Sequence, residues 1–253
     1  MSFAKKYTLV DQIHYTGLFG NLKENVLVRE TVTILAYFSF YISYSFFFQE
    51  PEYLHWLTQV LIPFALLHYI QRKNLISPSV RLSLAFFGLR KNNLHTGILF
   101  SAIIGLLLSI FPVLARGEIN SLSQIFSSPS VIIILPVTFI LLFVTVGFTE
   151  EFLFRGVLQT RLVRLVNSKW LGIGITSLLY AIYRVTHYSL TTAATGIPIW
   201  DPYLFVVFIE GVVFGLLLGF IYVKNDENLL SAVILHSTIQ IFSTMVVLKD
   251  LWF

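Results

Sequence analysis

Residues 131–156 read VIIILPVTFILLFVTVGFTEEFLFRG, an apolar run of eighteen residues followed at once by Glu150, Glu151 and Arg155. A helix needs roughly 20 mostly apolar residues to cross the hydrocarbon core of a bilayer, so this run predicts a membrane span. Ionisable side chains are costly within a membrane and are candidates for function by default. The stretch therefore predicts an α-helical membrane protein and also points to its most informative polar residues.

The composition of the whole chain agrees with a membrane protein. Of its 253 residues, 56% are hydrophobic and 12% are charged, whereas soluble domains carry about 25% charged residues. The absence of cysteine excludes disulfides, thiolate metal ligands and a cysteine nucleophile. The formal net charge of +4 does not indicate nucleic-acid binding, because the Lys and Arg residues lie at the ends of apolar segments, as membrane topology requires.

Apolar segments along the chain predict an all-α, polytopic transmembrane bundle of about seven spans, with six to eight as the range. We expect one integral membrane domain over residues 1–253. The basic, apolar stretch from Val80 to Leu94 is too short to span and predicts an interfacial helix. The seven predicted spans are Thr31–Phe48, Tyr53–Ile70, Thr96–Ala115, Val131–Phe148, Leu171–Tyr188, Tyr203–Val223 and Leu229–Leu248.

The distribution of Lys and Arg predicts the orientation of the bundle. If the N-terminus is inside, fourteen of the seventeen basic residues fall in inner segments, and only Arg116 and Lys249 fall in outer ones. Cytoplasmic loops carry an excess of basic residues. We therefore expect a cytoplasmic N-terminus, with the stretch before Val28 retained as a cytoplasmic arm, and a C-terminus on the outer side.

Polar side chains mark three places inside or at the ends of the predicted spans. Glu151 and Arg155 are four residues apart and can pair on one helix face, which leaves Glu150 to face elsewhere. His187 lies near the outer end of the fifth span. The third place, in the last span, is His236 with Gln240 one turn later on the same face.

Each of these places also has a structural interpretation. The two adjacent glutamates could end a helix among lipid headgroups, and His187 could be an interfacial group. His236 and Gln240 could join two helices by a hydrogen bond. Glu210, in the middle of the sixth span, could form a structural ion pair with Arg184 on the preceding helix.

A hairpin calculation relates the first two places. If the chain turns near Ser168, residues whose numbers sum to about 337 face each other, so Glu150 and His187 lie at similar depth. His236 would lie roughly 15 Å from the inner boundary and Glu150 roughly 27 Å. A tilt of the helix or a break at Gly156 would close this difference.

A carboxylate and two imidazoles inside a membrane can activate water. A buried glutamate can act as a general base, and a histidine can share that role or donate to a developing oxyanion. Glu150, His187 and His236 are also a possible zinc-ligand set, so the dependence on a metal stays open. The sequence contains neither a His-Glu-x-x-His helix nor a Gly-x-Ser-x-Gly turn.

The motif Glu150-Glu151-x-x-x-Arg155, followed by His187 and then by His236, resembles the motif order of the CPBP or Abi family of CaaX-type prenyl endopeptidases. The resemblance implies a helical bundle with a catalytic cavity inside the membrane. In the pattern of that family, the first glutamate and the first histidine activate water. The second histidine and a polar residue one turn later stabilise the oxyanion.

These roles are carried over onto the matching residues of this chain. The resemblance implies that Glu150 and His187 activate water, and that His236 and Gln240 stabilise the oxyanion. It covers residues 131–248, which we expect to form the catalytic core. The supporting residues that it implies are Glu151, Arg155 and Tyr183.

Two residues depart from the family pattern. Tyr183 stands where the family usually has phenylalanine, four residues before the first histidine. Gln240 stands where it usually has asparagine, four residues after the second histidine. Glutamine keeps the amide but moves it by one methylene, and the stabilisation of an oxyanion is sensitive to such a shift.

The resemblance implies hydrolysis of a peptide bond in a membrane-associated or hydrophobic substrate. A prenylated CaaX protein would be the eukaryotic substrate, in the endoplasmic reticulum. In a bacterium, the implied roles in the plasma membrane are peptide processing or bacteriocin self-immunity. The alternatives are a non-catalytic membrane partner and a transporter with a path lined by Glu210 and Arg184, although no internal repeat supports a transporter.

Overall fold

The fold is a bundle of helices. The computed structural model describes residues 20–48, 54–73, 87–89, 94–193 and 203–249, and these described residues contain no β-strand. The N-terminal arm and most of the predicted interfacial helix at 80–94 lie outside them. The helices, numbered in chain order, are α1 (Gly20–Phe48), α2 (Trp56–Leu61, π-helical, continuing as Ile62–Lys73), α3 (Leu94–Ala115), α4 (Ile119–Ser127), α5 (Val131–Leu165), α6 (Lys169–Ala193), α7 (Tyr203–Lys224) and α8 (Leu229–Val247).

The helices confirm the predicted all-α, polytopic membrane bundle, and about seven spans agree with them. Helices α1, α3, α5, α7 and α8 are long and apolar enough to cross a membrane. Helices α2 and α6 occupy the two other predicted spans. Large apolar side chains are exposed along the outside of the bundle, for example Phe47, Ile132 and Phe205. Such a surface suits lipid rather than water as the solvent.

Helix α4 was not predicted from the sequence. It is nine residues long, too short to span, and it follows α3 directly. Its apolar side chains Leu122 and Ile125 are buried in a cluster with residues of α3, α5 and α8. Helix α4 therefore closes one end of the bundle instead of crossing it.

Helix α5 runs without interruption for 35 residues, so the break considered at Gly156 is absent. Instead, Phe143–Gly147 and Phe152–Gln159 are wound as π-helix. A methyl group on Gly156 would lie only 3.0 Å from the Phe87 carbonyl oxygen. The glycine thus lets the Phe87-Gly88-Leu89 segment approach the helix backbone.

Close contacts between backbones also bring α6 and α7 together. A methyl group on Gly211 would lie 2.8 Å from Ala181 Cα, and one on Gly215 would lie 2.9 Å from Ser177 Cα. Small residues at such positions allow helices in membranes to pack closely. The packing of α7 against α6 also leaves the Gly215 carbonyl facing the polar residues of α5.

A buried charged cluster joins α1, α2 and α5 away from the two adjacent glutamates. Arg161 Nε lies 3.6 Å from Glu30 Oε2, and Gln71 Nε2 donates a hydrogen bond to Glu30 Oε1 at 3.1 Å. The Arg161 guanidinium lies 5.0 Å from the centre of the Phe87 ring. Arg161 and Glu30 are both almost completely buried. The cluster therefore fixes α1 and α2 against the C-terminal half of α5.

We expect the Glu30→Ala substitution to lower the free energy of unfolding by about 3–5 kcal/mol, because it leaves the Arg161 charge buried without its carboxylate partner. Thermal unfolding of the purified protein in detergent measures this loss. The Lys169→Ala variant removes a charge at an exposed position and is the matched control. Equal melting temperatures for the two variants would contradict a stabilising role for the cluster.

Candidate active site

The polar residues singled out in the sequence come together where α5, α6 and α8 meet. Glu150 and Glu151 lie between the two π-helical stretches of α5. Glu151 and His236 are completely buried, Arg155 is 1% exposed and Glu150 is 6% exposed. So many ionisable groups inside an apolar bundle require partners, and the structure supplies them.

Glu151 and Arg155 form the ion pair that their spacing predicted. Arg155 Nη1 donates to Glu151 Oε1 at 3.0 Å, and Arg155 Nη2 donates to the Gly215 carbonyl oxygen at 3.2 Å. The guanidinium also lies 5.0 Å from the centre of the Tyr180 ring. The arginine therefore joins α5 to α6 and α7 while it neutralises Glu151.

His236 is held from both sides. Its Nδ1 lies 2.7 Å from Glu151 Oε1, and its Nε2 lies 2.8 Å from Gln240 Nε2. The amide nitrogen of a glutamine can only donate, so His236 Nε2 accepts that hydrogen bond and Nδ1 carries the proton donated to Glu151. His236 and Gln240 thus face the same site, as their spacing predicted.

Glu150 faces away from Arg155, also as predicted. Tyr180 donates its hydroxyl hydrogen to Glu150 Oε2 at 3.0 Å, and Tyr183 donates to Oε1 at 3.3 Å. His236 Nε2 lies 3.8 Å from Glu150 Oε2. Glu150 is therefore a carboxylate held by two phenols beside the histidine of α8.

Tyr180 was missed in the sequence, although a signal for it existed. Tyr180, Tyr183 and His187 follow one another at intervals of three and four residues. Such intervals place the three side chains on one face of a helix. Because that face carries His187, Tyr180 could have been included in the predicted site.

His187 lies at the margin of the site. Its side chain is exposed, and its ring centre lies 6.2 Å from that of Tyr183 and 6.2 Å from that of His55. It is within electrostatic range of Glu150. His187 can therefore contact a molecule that enters the site from outside, whereas His236 is enclosed.

The predicted register set Glu150 and His187 at similar depth, whereas the partners of Glu150 on α6 come one and two turns before His187. The residues of α6 that contact Glu150 are Tyr180 and Tyr183. The π-helical winding of Phe152–Gln159 explains the difference. A π-helix bonds each residue to the fifth along instead of the fourth, so the chain advances less per residue. Glu150 therefore lies nearer to the α5–α6 turn than a regular helix would place it.

A second layer of polar residues surrounds Tyr183 and was not predicted. Gln59 Nε2 on α2 donates to the hydroxyl oxygens of Tyr41, at 2.8 Å, and of Tyr183, at 3.2 Å. Gln59 is completely buried. A glutamine inside the second predicted span was the available signal, because amides are costly in an apolar environment without partners.

Arg184 and Glu210 do not form the direct ion pair that was considered for them. Glu210 is exposed on α7 and Arg184 is partly buried on α6. The two charges lie within electrostatic range of one another, and Arg184 also lies within range of Glu150. In the part of the chain that the structure describes, no salt bridge joins Arg184 to either carboxylate. Arg184 thus adds a positive charge near Glu150 without contacting it.

The polar groups of the site do not fit a metal ion in this arrangement. Both ring nitrogens of His236 take part in hydrogen bonds with protein groups, and both oxygens of Glu150 accept from phenols. Among the described residues, no three His, Asp or Glu side chains converge on a point that could hold a metal. Zinc coordination by His236 would require its hydrogen bond with Gln240 or with Glu151 to be replaced.

The chain matches one known family over nearly half of its length. The model of the Rce1-like family, described as type II CAAX prenyl endopeptidase, matches residues 132–242. This stretch contains the whole motif from Glu150 to His236 and Gln240, and the resemblance inferred from the motif is confirmed. No curated protein and no solved structure is significantly similar to the chain.

Proposed function

We propose that the protein is an intramembrane endopeptidase that activates water with Glu150, a proposal supported by the match of residues 132–242 to the model of the Rce1-like family. One observation carries this proposal. Glu150 of α5 and the pair His236 and Gln240 of α8 come together in one cluster. Glu151 and Arg155 hold this cluster in place. A contact between two helices alone does not require this many buried ionisable groups, which are costly inside a membrane.

In the proposed reaction, Glu150 accepts a proton from a water molecule as the water oxygen attacks the carbonyl carbon of the peptide. The carbonyl oxygen becomes an oxyanion. Glu150 then gives the proton to the leaving amide nitrogen as the carbon–nitrogen bond breaks, which balances the reaction. His187, exposed beside the site, shares in orienting the water.

The oxyanion requires a hydrogen-bond donor, and Gln240 supplies one. One hydrogen of its amide nitrogen is donated to His236 Nε2, and the second remains available for substrate. His236 is itself fixed by Glu151, so the amide is oriented before substrate binds. Donors that are oriented in advance towards a developing charge are often the largest single contribution to catalysis.

The proposed substrate is a membrane-associated peptide or protein, with a prenylated CaaX protein as the first candidate. The apolar outer surface of the bundle supports a substrate that arrives through the lipid. The second candidate substrate is a hydrophobic peptide that is processed in bacterial self-immunity. A membrane partner that binds a peptide without cleaving it is the alternative function.

The proposal is tested with the purified protein in lipid vesicles and an internally quenched peptide that carries a farnesylated cysteine followed by three residues. We expect cleavage that depends on Glu150. The same peptide without farnesyl is the control for substrate class. A protein that binds the farnesylated peptide but never releases its C-terminal fragment would support the non-catalytic alternative instead.

We further propose that the N-terminus is cytoplasmic and the C-terminus lies on the other side of the membrane. The chain has no cysteine, so single cysteines can be introduced in place of Ser2 and Asp250. A membrane-impermeant maleimide should label position 2 only from the cytoplasmic side and position 250 only from the outer side. Labelling of both positions from one side would mean an even number of spans.

A further inference from the structure

Gln59 forms a hydrogen-bonded connection from α2 to the proposed base on α5. The two hydrogens of its amide nitrogen are donated to two phenol oxygens, those of Tyr41 and Tyr183. Tyr183 in turn donates to Glu150 Oε1. The connection is buried along its length, since Tyr41 and Tyr183 are each no more than 3% exposed.

The chemistry of the amide gives this connection a direction. The nitrogen of a glutamine side chain donates hydrogen bonds and does not accept them, whereas a phenol has one hydrogen and can also accept. Because Tyr183 accepts from Gln59, its own hydrogen is turned away from Gln59. The acceptor that receives this hydrogen is the carboxylate of Glu150.

We propose that Gln59 is a positioning residue, which orients the hydroxyl of Tyr183 and through it holds Glu150 in the orientation needed to activate water. The proposal rests on the role of Glu150 as the base in the proposed function. Tyr183 occupies a position where the family pattern has phenylalanine, which has no hydroxyl to donate. Gln59 and Tyr183 therefore form one unit that is a feature of this chain.

The orientation of Glu150 matters because its two oxygens face different neighbours. Tyr183 holds Oε1, while Oε2 accepts from Tyr180 and lies 3.8 Å from His236 Nε2. If Tyr183 no longer donates, the carboxylate is held at one oxygen only and can rotate. A small displacement of a catalytic group lowers the rate strongly without weakening the binding of substrate to the same degree.

The test substitutes Gln59 with methionine, which has a similar volume and no amide hydrogens. With the farnesylated quenched peptide, we expect kcat to fall about tenfold, as for the loss of one oriented hydrogen bond, with KM nearly unchanged. The Gln71→Met variant is the matched control, because it removes another buried amide of α2, one that donates to Glu30 and not towards Glu150. Its kcat should stay within about twofold of the wild type.

A double-mutant cycle separates positioning from packing. In the Tyr183→Phe background, Gln59→Met should cause no further loss of kcat, because the hydroxyl through which Gln59 acts is gone. A merely structural role for Gln59 would lower kcat equally in both backgrounds. Additive losses in this cycle would therefore overturn the proposal.

A second cycle needs no substrate and so does not depend on the proposed function. We expect the losses of melting temperature caused by Gln59→Met and Glu150→Ala to be non-additive, since Tyr183 connects the two side chains. If the wild type fails to cleave the peptide but this coupling is present, the proposed function fails and the connection stands. Additive losses of melting temperature would show that Gln59 does not act on Glu150.

Discussion

The Glu150→Gln variant is expected to lose peptide cleavage, with a decrease in kcat of about 10²–10⁴-fold, the usual contribution of a general base. An amide in this place cannot accept a proton from water. The substitution keeps the shape of the side chain: the amide oxygen can accept from the phenol of Tyr183, and the amide nitrogen can donate to the hydroxyl oxygen of Tyr180. The loss should therefore be chemical and not structural.

The kinetic result is interpretable only beside a measurement of folding. We expect Glu150→Gln to be expressed at wild-type levels and to keep the binding of the farnesylated peptide. Tyr180→Phe, which keeps the carboxylate and removes one of its two phenol donors, should lie between the wild type and Glu150→Gln in rate. Cleavage by Glu150→Gln at the wild-type rate would assign the base to another residue.

The Gln240→Leu variant is expected to lower kcat by about 10²–10³-fold, the loss seen when one oxyanion donor is removed. Leucine resembles glutamine in size but offers no hydrogen to the oxyanion or to His236 Nε2. The Gln240→Asn variant should keep or raise the rate, because it restores the residue of the family pattern and removes one rotatable bond. Steady-state kinetics of both variants beside the wild type measure the effect.

The same two variants distinguish an enzyme from a non-catalytic partner. If the protein only binds its ligand, both substitutions act through packing. Leucine is closer to glutamine in size than asparagine is, so Gln240→Leu should then weaken function less than Gln240→Asn. Melting temperatures of both variants give the packing contribution directly. A harmless Gln240→Leu beside an inactive Glu150→Gln would mean that the amide has no catalytic role.

The sequence predicted those parts of the site that depend on the periodicity of a single helix. The pair of Glu151 with Arg155 and the pair of His236 with Gln240 each span four residues on one helix, and both are present in the structure. The direction of Glu150, away from Arg155, followed from the same periodicity. Local helical geometry is nearly independent of the rest of the fold, and such predictions are accurate for that reason.

The contacts between helices were less predictable. The register of α5 against α6 was predicted from regular winding, but α5 contains the π-helical stretch Phe152–Gln159, and Glu150 contacts Tyr180 and Tyr183. The contribution of α2 through Gln59 was not predicted at all. Both depend on how distant segments of the chain pack, which hydropathy and motif spacing do not determine.

The turn between α7 and α8 has a consequence for the length of the substrate segment. This turn passes through Asp226 and Glu227, which have positive φ angles of 56° and 58°, and it was predicted to lie at the inner boundary of the membrane. His236 follows Asp226 by ten residues, roughly 15 Å along a helix. An extended chain covers about 3.3–3.6 Å per residue. With the orientation and the activity proposed above, a peptide tethered at the cytoplasmic surface would have to extend roughly four or five residues into the bilayer for its scissile bond to reach Glu150.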